Sequence, residues 1–322
     1  MLSLAEQNPL LVTKETSSQF DPELILPVSE RVEIGDFLID SGLSSMGGRF
    51  ITCRTDKSNL LWICKNCGHP EIRPASCNVR FCPRCNSRRY MQLKQKFGSG
   101  LSGMHAPSFL SLSYPNVAKL EKEALDYASK AFARLRRSKC FRSVFGGFYG
   151  LDATFNPVSK TFNVHVHAVI DSPFLNRNAV YARWFDITSD MGGKTRNVHI
   201  ERAFAIISGR KVKWHPRHKK SVKTKILKAC SGYLLSHSVK APALPTAQML
   251  GAFLVACYNK RLLQGFGSMF GLPSGEPHHM VCPECGAMDF KFEGSVEFLY
   301  NLAHRLLDRP LRSHKSYAWD AG

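Results

Sequence analysis

The stretch Phe162-Asn-Val-His-Val-His-Ala-Val-Ile170 sets two histidines one residue apart inside an otherwise apolar run. A strand projects alternate residues to opposite faces, so His165 and His167 share one face while Val164, Val166 and Ala168 share the other. The valine face is a core face. The histidine face has two readings: partly exposed rings on an edge strand, or a preformed pair of imidazoles for one metal ion. The neighbouring sequence bears on the choice.

Upstream, FGGFYGLDATF (145–155) reads as a strand and NPVSK as a turn, which makes 161–170 the second arm of a hairpin. Asp152 lies on the same face of its strand as Phe148 and Thr154, opposite Leu151 and Ala153. If 148–155 pairs with 162–169, this carboxylate stands beside both imidazoles. Two histidines and a carboxylate on one side of an ion leave positions open for a substrate oxygen. Taken alone, Asp152 is an ordinary solvated carboxylate near a turn.

The whole chain narrows the partners. It has 322 residues, 44% hydrophobic and 21% charged, a globular composition. Lys and Arg total 44 against 25 Asp and Glu, a net charge of +19 that favours a polyanion. Nucleic acid fits best, and an acidic membrane surface is the alternative. No apolar run reaches the roughly 20 residues that a membrane-spanning helix needs. The N-terminus has no basic region followed by an apolar one, so a soluble cytoplasmic protein is expected. No Walker-type phosphate loop is present, so ATP-driven unwinding is not expected of this chain.

The fold class expected is α+β, an antiparallel sheet flanked by helices with a cysteine-rich module before it and a helical extension after it. Residues 1–48 read as a loosely structured leader, 49–95 as the zinc-binding module, 106–245 as the main domain and 246–322 as the C-terminal region. Within the domain, 108–114 and 198–206 read as strands, and 118–138 and 178–190 as helices. A basic loop, 209–228, leads into a helix at about 224–237. Its cations Arg210, Lys211, Lys213, Arg217, Lys219 and Lys220 suit contacts to a DNA backbone. A helix is expected over about 246–264, and another at EFLYNLAHRLLD.

Eleven cysteines include two C-x-x-C pairs about fifteen residues apart, Cys64/Cys67 and Cys82/Cys85. That spacing matches a four-cysteine structural Zn²⁺ site. Cys77 lies between the pairs, either as a substitute ligand or simply buried. Cys282 and Cys285, with His278 and His279 nearby, form a further half-site that needs distant ligands to close. The first module also carries Arg80, Arg84, Arg88 and Arg89.

From "CNVRFCPRCNSRRY" through "SFLSLSY" and the HVH strand to "ILKACSGYLLSHSVKAP", the chain resembles the HUH endonucleases, most closely the rolling-circle replication initiators of small bacterial plasmids. The resemblance spans about residues 64–242, in order. It implies Mg²⁺ or Mn²⁺ on His165 and His167, a tyrosine nucleophile, and nicking of one strand of a plasmid origin with a 5′ phosphotyrosine link. It also implies that host helicase and DNA polymerase act as partners. One departure stands out. The plasmid initiators carry a tyrosine three residues before a lysine and a glutamate four residues ahead of it, where this chain has His237 and Tyr233. Related two-tyrosine transposases would place their first tyrosine at Tyr233. On a helix Tyr233, His237 and Lys240 share one stripe, with Tyr233 as nucleophile, His237 as proton acceptor and Lys240 beside the phosphate. The rival expectations are a rolling-circle transposase with the same chemistry and a non-enzymatic zinc-stabilised DNA-binding regulator.

Overall fold

The alternation around the histidines runs through an eleven-residue strand, Thr161–Asp171. The computed structural model describes residues 28–55, 58–82, 86–193, 195, 197–239, 244–272 and 280–307. Helices α1 (Val28–Asp40) and α2 (Ser44–Thr52) come first, where residues up to 48 were expected to form a loose leader. Strands β1 (Asn59–Cys64) and β2 (Pro70–Pro74) follow, then α3 (Asn86–Ser102) and β3 (Pro107–Ser113). After α4 (Lys122–Arg136) come β4 (Gly146–Asn156) and the histidine strand, β5. The described residues fall into two units, one within 28–51 and 78–272, the other within 52–77 and 280–307.

In the larger unit β4 and β5 form the expected hairpin, with Asp152 opposite His165 and Gly150 opposite His167. Its turn is closed by Asn156, whose Oδ1 accepts from Val158 N at 2.9 Å and Ser159 N at 3.3 Å, and Lys160 takes a φ of +52°. On the other side of β5, β3 sets Ser113 opposite His165 and Ser111 opposite His167. Two further strands, β6 (Val198–Arg202) and β9 (Leu263–Gly267), complete an antiparallel sheet of order β6-β3-β5-β4-β9. The histidine strand is therefore central, and the edge-strand reading falls.

The valine face of the sheet is hydrocarbon. Leu110, Leu112, Leu151, Ala153, Val164, Val166, Ala168 and Ile170 are all 0% exposed. Helix α4 covers it with Ala124, Leu125, Ala128, Ala131, Phe132 and Leu135, a stripe at three- and four-residue spacing. Phe132 meets Tyr149 of β4 with ring centroids 4.8 Å apart. Helix α5 (Arg177–Asp190) starts at Asn176, whose side chain accepts from Ala179 N. It buries Trp184 completely, and the indole N–H donates to Ser113 O at 2.9 Å. Trp184→Ala would lose that bond and open a large cavity, a cost of about 3–5 kcal/mol.

The opposite face changes character along the strands. At one end Phe109, Phe148 and Val169 join an apolar cluster with Phe97 and Leu101 of α3 and with Ile226, Cys230 and Tyr233 of α6 (Lys220–Val239). At the other end the same face presents Ser113, Asp152, Thr154 and His165. The boundary between oil and polar groups falls at His167.

Part of the stretch read as a basic loop is a hairpin of β7 (Phe204–Ile207) and β8 (Arg210–Lys213), and α6 begins at Lys220. The helix expected to reach 264 stops early: α7 is Ala247–Ala256, and the chain then enters β9. Two glycines in the five residues of LQGFG give it a weak strand signal. In the smaller unit β1 pairs on both sides, with β2 and with β10 (Phe290–Ser295), and α8 (Val296–Leu307) follows directly.

Candidate active site

His165 and His167 project from β5 with ring centroids 5.6 Å apart. The strand register supplies the partners of His165, and a helix supplies one for His167. Ser113 Oγ lies 3.2 Å from Nδ1 of His165, and Thr154 Oγ1 lies 3.2 Å from its Nε2. Tyr233 of α6 places its hydroxyl 2.7 Å from His167 Nδ1, with the two rings edge to face at 5.7 Å. The phenol also packs on Phe109, centroids 4.7 Å apart. The residues named from the sequence as metal ligand and nucleophile are thus in direct contact.

Asp152 sits across the ladder from His165, half-buried, with Oδ1 accepting from Ala153 N at 2.8 Å. Its charge reaches Tyr233. Burial pushes the phenol well above its ordinary pKa, and Asp152 adds to the shift. Tyr233 is only 4% exposed. In this arrangement burial favours the protonated hydroxyl.

The donors fit a divalent ion in kind: two imidazoles and a carboxylate from adjacent strands. At His165, Nε2 is met by the Thr154 hydroxyl, which an ion could displace without breaking the sheet. Among the described residues, the groups of three or more Cys, His, Asp or Glu whose ligand atoms lie within 4.8 Å of one another consist of cysteines. His165, His167 and Asp152 are spread wider than that.

His237 lies on α6, where side chains past Tyr233 are outside the described residues, as are Lys240 and Cys85. The six basic residues Arg210, Lys211, Lys213, Arg217, Lys219 and Lys220 are all exposed. Two of them are engaged: Lys211 and Lys213 reach Glu201 of β6 at 2.7 and 3.2 Å. Partial burial works against ionisation of Glu201, yet these two lysines hold its pKa below the usual carboxylate value. Beside it, burial lowers the pKa of His199, which lies on the sheet face that carries the histidine pair.

In the smaller unit the sulfurs of Cys64, Cys67, Cys282 and Cys285 lie within 4.8 Å of one another. The sequence reading set Cys64 and Cys67 with Cys82 and Cys85, but β1 pairs with β10, and that pairing brings residues 282–285 to the first pair. Cys77 is buried in the same unit, its N–H directed at Cys53 Sγ at 3.5 Å. The clusters are compatible with a metal such as zinc. Hydrogen bonds from Asn66 and then from Ala287 N lower the pKa of the Cys285 thiol to about 6.

Ser113 and Thr154 escaped the sequence reading. Thr154 was placed on the right face but given no role. Ser113 belongs to the alternating SFLSLS run, and only knowledge that β3 neighbours β5 turns that alternation into a contact.

The central antiparallel sheet thus carries two imidazoles, with a tyrosine brought to one of them by a helix. A family model described as replication protein matches residues 72–186, which contain β3 to β5, both histidines, Asp152, Ser113 and Thr154. Over that stretch, about a third of its length, the chain is similar to a replication protein, which supports a plasmid replication initiator. No curated protein and no solved structure matches it.

Proposed function

We propose that this replication initiator nicks one strand of its plasmid origin through Tyr233, with a divalent ion on His165, His167 and Asp152, in the manner of HUH endonucleases. The observation that carries the proposal is the 2.7 Å contact between Tyr233 Oη and His167 Nδ1, which joins a helix and a strand 66 residues apart. When bound, Mg²⁺ or Mn²⁺ would polarise a non-bridging oxygen of the scissile phosphate.

The chain's own groups account for the rest. If Nε2 of His167 is a ligand, its Nδ1 keeps a hydrogen and donates to the phenol oxygen, which orients the nucleophile and favours its anionic form. The phenol proton must then leave to another base, and His237, one turn along α6, is the residue the sequence offers. The tyrosine oxygen forms a bond to phosphorus, the bond to the 3′ oxygen breaks, and the 3′ hydroxyl departs with a proton. The 5′ phosphate stays on the protein. Lys240 would sit near the developing charge, and exposed Arg210, Arg217, Lys219 and Lys220 would hold the flanking strand. Host helicase and polymerase would extend the nick.

The burial of Tyr233 favours one second reading, in which its hydroxyl only orients His167 and another residue is the nucleophile. Nicking of labelled single-stranded origin DNA in Mn²⁺ tests the proposal. Activity in the wild type that vanishes in His165→Ala/His167→Ala, with DNA binding retained, supports it. Undiminished cleavage by the double variant overturns it.

A further inference from the structure

The two C-x-x-C segments of the smaller unit are the same piece of structure made twice. In Cys64-Lys-Asn-Cys67-Gly68, Gly68 N donates to Cys64 O at 2.9 Å and Cys64 N donates to His69 O at 2.9 Å. In Cys282-Pro-Glu-Cys285-Gly286, Gly286 N donates to Cys282 O at 2.9 Å and Cys282 N donates to Ala287 O at 2.8 Å. The closing glycines take φ values of +75° and +72°, which a side chain would strain. Each turn leaves two sulfurs on the same side of the backbone.

The antiparallel pairing of β1 with β10 sets these turns side by side. It ends at Cys64 opposite Phe290, and Lys65 N continues it to Asp289 O at 3.0 Å. Across the gap Cys64 Sγ is 3.6 Å from Cys285 Sγ, and Cys67 Sγ is 3.6 Å from Cys282 Sγ. A disulfide needs about 2.05 Å, so neither pair is bonded. Four sulfurs each about 2.3 Å from one tetrahedral Zn²⁺ would be about 3.8 Å apart, close to what is seen.

The packing supplies an independent reason. Among the described residues of this unit, the buried ones are Cys53, Cys64, Cys77 and Cys282. Ile72 is 56% exposed and Phe292 50%. A unit of three short strands without a hydrocarbon core cannot cover the entropy of ordering its chain by burial. A tightly held ion supplies what the core lacks.

We infer that Cys64, Cys67, Cys282 and Cys285 bind one structural Zn²⁺, and that this ion is the core of the smaller unit. Four protein ligands close the coordination sphere, so the site is structural and takes no part in strand cleavage. It makes the C-terminal segment a partner in folding residues 59–77, although more than 200 residues of chain separate the two knuckles.

Alkylation of the intact wild-type protein tests this without mutation. Cys67 and Cys285 are exposed, so as free thiols they would react with iodoacetamide at once. The expected result is that both are protected in the native protein and become reactive after strong chelation, with zinc released in step. Metal analysis should show Cys285→Ser one zinc equivalent below wild type and Cys140→Ser equal to it. Cys285→His, which keeps a tetrahedral ligand, should retain the metal and shift the absorption of the cobalt-substituted protein. Immediate alkylation of Cys67 and Cys285, insensitive to chelator, would overturn the inference. So would a zinc content that Cys285→Ser leaves unchanged. Neither outcome touches the nicking proposal, because neither reads DNA cleavage.

Discussion

The two units of this chain solve the same problem with opposite means. The larger buries eight aliphatic positions on one face of β3, β4 and β5 completely and closes them under α4 and α5. Having secured its fold on one face of the sheet, it can leave the other face partly polar and carry chemistry there. In the smaller unit the buried described residues are cysteines, and its strands are otherwise half-buried or exposed. It has no apolar face to spend, so its polar, metal-ligating atoms do the folding. Histidine and cysteine clusters that look alike as candidate metal sites therefore differ in kind: one is an open set of donors on a rigid sheet, the other a closed set that creates its own scaffold.

Metal removal should separate the units most sharply. Strong chelation is expected to unfold the smaller unit, because a structural zinc contributes on the order of 10 kcal/mol. Proteolysis should then cut within 59–77 and 280–307 and spare the segment from β3 to α5. Equal protection of both regions after chelation would contradict the contrast. Next in size, Trp184→Ala should destabilise the larger unit by about 3–5 kcal/mol in urea unfolding, with zinc content unchanged. A loss of zinc in that variant would show that the two scaffolds are not independent.

Effects at the histidine site should be smaller. Asp152→Asn is expected to weaken Mn²⁺ dependence of nicking by roughly 10–100-fold, the range for groups that hold or orient a ligand. Two conservative changes sharpen the assignment of His165. Ser113→Ala removes the hydroxyl at Nδ1 and should lower apparent Mn²⁺ affinity by about 10-fold. Thr154→Val removes the hydroxyl that competes at Nε2 and should leave affinity equal or slightly higher. The reverse pattern in a metal titration would put the ion on Nδ1 instead.

Much of the larger unit was legible because its parts are local. A turn with Asn156 in it, flanked by two alternating runs, specifies the hairpin that sets Asp152 opposite His165. The helical spacing at 124–135 specifies the face that covers the sheet. What the sequence hid is non-local. Cys64 and Cys67 look like natural partners of Cys82 and Cys85, fifteen residues on, because any two knuckles of this type can combine. The choice is made by β10, whose alternating FKFEGS is too short and too exposed to announce a partner for β1. Ser113 and Thr154 were hidden for the same reason: two hydroxyls acquire a role only when register puts them beside a ring.

The central claim is that a tyrosine buried against a histidine is the group that takes up the cut strand. Incubating the full-length protein with single-stranded origin DNA and Mn²⁺, then digesting it and sequencing the nucleotide-linked peptide by mass spectrometry, tests this most directly. The account predicts a phosphodiester on Tyr233 and no adduct with Tyr233→Phe. A nucleotide found on any other of the nine tyrosines, or an adduct that survives Tyr233→Phe, would contradict it.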